Sequence, residues 1–123
     1  PRFAMNERDP HTVIESFLRE FGPGEAFEEV MRLLATGADE IVPILESASV
    51  RIESGDWESI VRAAHRTANF AAAVSDSALN QAAVEAEQAA RANDSEETVS
   101  RCSRIAEDFR RLGDEAEQFL KGE

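Results

Sequence analysis

One histidine in this sequence stands where an imidazole could do chemistry. His65 lies inside VRAAHRTANFAAAV, a run with helical periodicity and little else that is reactive. At about 100° per residue, the core direction of that helix follows Trp57, Ile60, Ala64 and Ala68, and His65 falls roughly 90° away from it. That makes it a boundary residue, neither core nor fully outward. Glu87, twenty-two residues on, follows core residue Ala86 in the next helical run and sits on the equivalent flank. If the two helices are antiparallel neighbours, the carboxylate can reach an imidazole nitrogen across their groove. A carboxylate accepting the Nδ1 proton fixes the tautomer and leaves the Nε2 lone pair free, as nucleophilic catalysis requires.

Other chemistries find little support. Cys102 is the sole cysteine, which excludes an intramolecular disulfide and a cysteine-cluster metal site. It reads as a small buried apolar residue in a chain from a reducing compartment. One histidine beside scattered acids has no metal-ligand spacing, so neither a metal nor any bound cofactor is expected. EAFEE, EAEQ and DSEE read as solvated faces. A hydrolase needs a second catalytic group converging on a pocket, and none is apparent. His11, beside Asp9 and Pro10, reads as a surface residue.

The elements that must position His65 are helices. The 123 residues include no tyrosine and 42% hydrophobic residues, enough for one domain over residues 1–123 with a single core. Twenty-five acidic against 13 basic residues give a net charge of -12. Such a surface repels phosphate backbones and anionic lipid, so neither nucleic acid nor membrane is an expected partner. No apolar run has spanning length, and PRFAMNERDPH lacks a signal-peptide core, so the expected location is the cytoplasm.

Breakers divide the chain. Asp9 reads as a cap with Pro10 at the first helical position, opening a short helix through Phe17, Leu18 and Phe21 that ends at GPG. From Glu25 an unbroken apolar stripe reaches Ile52, predicting one long helix that passes Gly37 and kinks near Pro43. Gly55 stops it, and Asp56 caps a third helix over about Trp57–Val74. Ser77 reads as the cap of a fourth helix, Ala78–Ala92. Asp94 and Glu97 form a capping pair for the last, whose seam runs from Val99 to Leu120 across Gly113, a mild weakness. The expected architecture is an all-α, antiparallel four-helix bundle with a short extra N-terminal helix across one end.

The stretch ILESASVRIESGDWESIVRAAHRTANFAAAVSDSALNQAAVEAEQ resembles the histidine-containing phosphotransfer (HPt) domain, a four-helix bundle of two-component phosphorelays. The matching features are the Gly55-Asp56-Trp57 turn, Ala64 directly before His65, the apolar anchor Leu79, and Glu87 at the position where family members carry a ring-binding Gln or Glu. The resemblance implies that His65 is the phosphoacceptor and Glu87 orients it. It also implies partners: a histidine kinase and the receiver domain of a response regulator, docking over Arg62, Arg66, Ala68, Asn69 and Ala72. Three positions depart from the family. Ala68 replaces a lysine, Asn69 a glycine and Ser75 a later glycine. An alternative implied by those losses is a degenerate HPt-like module that docks on a kinase or receiver without carrying phosphate.

Overall fold

A computed structural model of the chain describes residues 12–122. The described residues form six helices and no strand: α1 (Val13–Phe21), α2 (Glu25–Glu46), α3 (Ala48–Glu53), α4 (Trp57–Ala73), α5 (Ser77–Arg91) and α6 (Ser95–Gly122). Four of them, α2, α4, α5 and α6, make the bundle. Neighbours around the ring are α2 with α4, α4 with α5, α5 with α6 and α6 with α2. Paired contacts run in opposite directions across three seams: Gly37 with Phe70 and Glu40 with Arg66 between α2 and α4, His65 with Glu87 and Ala68 with Asn80 between α4 and α5, and Phe27 with Phe119 and Ala38 with Gly113 between α2 and α6. The bundle is therefore antiparallel, up-down-up-down.

The core runs along this ring. Met31, Leu34, Ile41 and Leu45 of α2 meet Ile105, Phe109 and Leu112 of α6, while α4 and α5 contribute mainly alanines: Ala64, Ala71, Ala83 and Ala86. Alanine at those positions lets the α4 and α5 axes come close, which is what brings a glutamate on one within reach of a histidine on the other. The short α1 closes one end, where Phe17 stacks on Phe27 with centroids 5.6 Å apart and Phe27 meets Phe119 edge-on at 4.9 Å.

Three connections in the bundle use one device. After α3, α4 and α5 the chain takes a left-handed residue, Gly55 (φ 80°), Ser75 (φ 61°) or Asn93 (φ 56°), followed by aspartate. Each aspartate N–H donates back to a carbonyl five residues earlier: Asp56 to Arg51 (2.8 Å), Asp76 to Ala71 (2.8 Å), Asp94 to Ala89 (3.1 Å). The pattern is a Schellman closure of one helix. The same aspartates then cap the next helix, accepting from the N–H groups of Ser59, Leu79 and Glu97. One two-residue unit thus ends a helix and starts another.

Four sequence expectations change. The cap of α5 is Asp76, not Ser77: the aspartate that closes α4 is already placed to accept from Leu79, so Ser77 becomes the first helical residue. The stripe from Glu25 to Ile52 is two helices, because α2 continues as helix past Gly37 and Pro43 and is interrupted at Ser47. There the Ser47 hydroxyl donates to the Ile44 carbonyl at 3.0 Å and accepts from Arg51 Nε at 2.8 Å, local bonds that compete with the helical ladder. Glu97 supplies only half of a capping box, since its carboxylate pairs with Arg101 at 2.6 Å. The cap of α1 is Thr12 in a reciprocal box with Glu15, the two bonds measuring 3.0 and 3.2 Å. The Asp9-Pro10 signal and His11 lie outside the described residues.

Candidate functional site

His65 is held at the middle of α4 by its neighbours. Ala63, Ala64, Thr67 and Ala68 are buried, and the Thr67 hydroxyl donates to the Ala63 carbonyl at 2.8 Å, so this face is anchored in the core. His65 lies beside that face with 59% of its side chain exposed. Across the seam, Glu87 follows buried Ala86 on α5, and its side chain is only 15% exposed. His65 Nδ1 and Glu87 Oε1 are 3.2 Å apart. The flank arithmetic on two separate helices therefore lands on one contact.

A further residue completes the site, and the sequence reading missed it. Arg91, the last residue of α5, donates to the other carboxylate oxygen, Oε2, from Nε at 3.0 Å and from Nη2 at 2.9 Å. The available signal was the i, i+4 order of Glu before Arg, the better orientation for such a pair on a helix. Partial burial of Glu87 works to raise its pKa, but the hydrogen bonds and charges of Arg91 and His65 together outweigh it. The carboxyl is held below its ordinary value. It remains an acceptor at neutral pH, with one oxygen on the imidazole and the other on the guanidinium.

The remaining candidate residues separate. Arg62, Asn69 and Ala72 are exposed on α4 around the histidine. Arg62 is drawn toward its own helix by Glu58 at 3.0 Å, and Arg66 reaches away to Glu40 of α2 at 3.3 Å, so both arginines border the ring without contacting it. Ala68 does not belong with them. It is 5% exposed, and its carbonyl accepts from Asn80 Nδ2 of α5 at 2.9 Å. The step of three residues from His65 turns position 68 into the seam between α4 and α5, which removes Ala68 from the surface offered to a partner.

Cys102 is fully buried in α6, and burial pushes its thiol up to about 11, which leaves it protonated and unreactive at neutral pH. Among the described residues no group of three His, Cys, Asp or Glu side chains is placed to hold a metal ion. No helix among them is long and apolar enough to cross a membrane.

An exposed mid-helix histidine whose Nδ1 meets a carboxylate of the adjacent antiparallel helix is the arrangement expected from the resemblance. The family model described as the Hpt domain matches residues 24–119. The chain belongs to the Hpt domain family. Its match covers α2 to α5 in full and α6 as far as Phe119, and leaves α1 outside. Neither the curated proteins nor the solved structures gave a match. Membership of the Hpt family assigns the chain a phosphotransfer-type role in two-component systems, in which Hpt domains interact with receiver domains and kinases.

Proposed function

We propose that the chain is a phosphorelay intermediate and that His65 is its phosphoacceptor. In the neutral ring the Nδ1 proton is donated to Glu87, and the Nε2 lone pair attacks the phosphorus of an aspartyl phosphate on a receiver domain. An N–P bond forms as the P–O bond to the aspartate breaks, and the aspartate leaves as a carboxylate. The reverse exchange, with a second receiver's aspartate as nucleophile, restores the free imidazole. Both transfers conserve the phosphoryl group and the Nδ1 proton, so the chain needs no cofactor of its own. Charge stabilisation at the transferring group would come mainly from a Mg²⁺ held by the receiver's acidic pocket.

The observation that carries this reading is the 3.2 Å contact between His65 Nδ1 and Glu87 Oε1 beneath a ring that is 59% exposed. A buried or unoriented histidine could not present Nε2 to a partner. Arg62, Arg66, Asn69 and Ala72 form the border over which a receiver docks, and the two arginines reach its acidic rim by exchanging their exposed pairs with Glu58 and Glu40. In this reading the chain acts as one domain in the cytoplasm, which suits its unpaired, buried Cys102.

A second reading is favoured by one feature: Ala68 is buried and uncharged where the family places a lysine, and the nearby arginines are engaged with Glu58 and Glu40. Under it, the bundle docks on a kinase or receiver without carrying phosphate. Incubation with a panel of phosphorylated receivers and kinases, beside His65→Gln, separates the two. Label on the wild type alone supports the relay. Tight binding to one partner with no label on any condition replaces it with the docking module.

A further inference from the structure

We infer that Arg91 is a positioning residue for phosphoryl transfer, acting through the Glu87 carboxylate to fix the tautomer of His65. The inference rests on the reading of His65 as nucleophile. It starts from the division of the Glu87 oxygens: Oε1 faces His65 Nδ1 at 3.2 Å, and Oε2 takes both Nε and Nη2 of Arg91 at 3.0 and 2.9 Å.

A glutamate carboxylate turns freely about its last torsion, so a single bond to the ring leaves its plane undefined. Two donors from one rigid guanidinium edge fix the position of Oε2, and the plane of the carboxylate then places Oε1. With Oε1 facing the ring as an acceptor, the tautomer with hydrogen on Nδ1 is favoured and the lone pair lies on Nε2. Among the described residues, Arg91 and His65 are the two groups bonded to Glu87. Arg91 is itself anchored at the terminal turn of α5, where its cation also complements the helix dipole.

As an isolated surface ion pair, Arg91 with Glu87 would add little to stability and have no chemical consequence. Its partner here is 15% exposed and holds the reacting ring, so its loss is felt at Nε2 rather than in folding.

The test uses the whole chain and four variants: Arg91→Ala, Arg91→Lys, Glu87→Ala and the double Glu87→Ala/Arg91→Ala. Nitrogen-15 shifts of the neutral His65 ring report the tautomer without any phosphoryl chemistry. The expected result is a wild-type ring carrying hydrogen mainly on Nδ1, with that fraction falling by about half in Arg91→Ala and less in Arg91→Lys, which supplies a point charge without the fork. Phosphoryl acceptance from a phosphorylated receiver should slow by roughly 3- to 10-fold in Arg91→Ala. In the double variant both readouts should equal those of Glu87→Ala alone. An unchanged tautomer in Arg91→Ala overturns the inference, as does an equal rate loss with and without Glu87, which would mean direct action. A wild type that accepts no phosphate but shows the tautomer shift removes the relay reading and keeps the positioning role.

Discussion

Gly113 of α6 lies against Ala38 of α2 so closely that a Cβ on the glycine would stand 2.6 Å from the alanine methyl. Replacing it with alanine sets two effects against each other. Helix propensity improves by about 1 kcal/mol, whereas overpacking of a fixed contact costs about 1–3 kcal/mol. The Ala38 methyl is bonded directly to the backbone and has no rotamer to move, so the helices must part and overpacking wins. Gly113→Ala should lower the melting temperature by about 3–6 °C. Thermal unfolding followed by circular dichroism checks this, and an unchanged or raised midpoint would show that the seam can open freely.

Ser75 takes the left-handed conformation (φ 61°) of a position better suited to glycine. A non-glycine residue is strained there, although glycine also gains freedom in the unfolded chain. Ser75→Gly should stabilise by about 0.5–1 kcal/mol, and Ser75→Val, β-branched at positive φ, should destabilise by more than that. Urea unfolding of the three proteins decides the sign.

A phosphorylated chain should carry its label on His65 alone, as an acid-labile and base-stable phosphoramidate. His65→Gln should reduce incorporation to background while keeping the helical spectrum, because the side chain is exposed and has no core contact to lose. Mass spectrometry locating the group on a serine would refute the assignment.

Glu87→Ala should slow phosphoryl acceptance about 10-fold, and Glu87→Gln should retain part of the rate by keeping one carbonyl acceptor. The depressed pKa of Glu87 also predicts a pH dependence of stability. A carboxyl lowered on folding contributes stability that is fully present above its unfolded value, about 4.3, and that is lost as pH falls through the folded value. The difference in unfolding free energy between wild type and Glu87→Gln should therefore be largest near neutral pH and shrink below about pH 4. A difference that stays constant down to pH 3 would mean that the charge of Glu87 adds nothing to the fold.

Cys102 should resist thiol reagents in the native state, since its side chain is fully buried and its thiol is raised to about 11. Labelling should follow global unfolding and accelerate in urea. Rapid modification of the folded chain would place it nearer the surface.

The sequence alone determined the helical class, the antiparallel order and the two flanks on which His65 and Glu87 stand. All three follow from short-range rules: apolar spacing of three and four fixes a helix face, and short connections force neighbours to run in opposite directions. The start of α4 was legible too, because Asp56 after Gly55 is a local signal, and its end at Ala73 lies one residue before the expected Val74. What the sequence could not rank were competing local signals. Asp76 and Ser77 are both good caps, and only closure of α4 onto Ala71 selects the aspartate. The apolar stripe through Ser47 is continuous in one dimension, whereas the break depends on where the Ser47 hydroxyl finds Ile44 and Arg51.

Tertiary structure also decided which side chains meet. Ala68 already lay on the core face drawn by the periodicity, and its burial, with Ala72 left exposed, removes it from the docking surface that the resemblance implied. Gly113 read as a weakness in a helix until α2 was laid beside it. Arg91 was not singled out from the 13 basic residues of the sequence. Its position became meaningful only when the close α4–α5 packing brought His65 to one oxygen of Glu87 and left the other for the arginine, because a contact between helices depends on interaxial distance and rotation, which no single helix encodes.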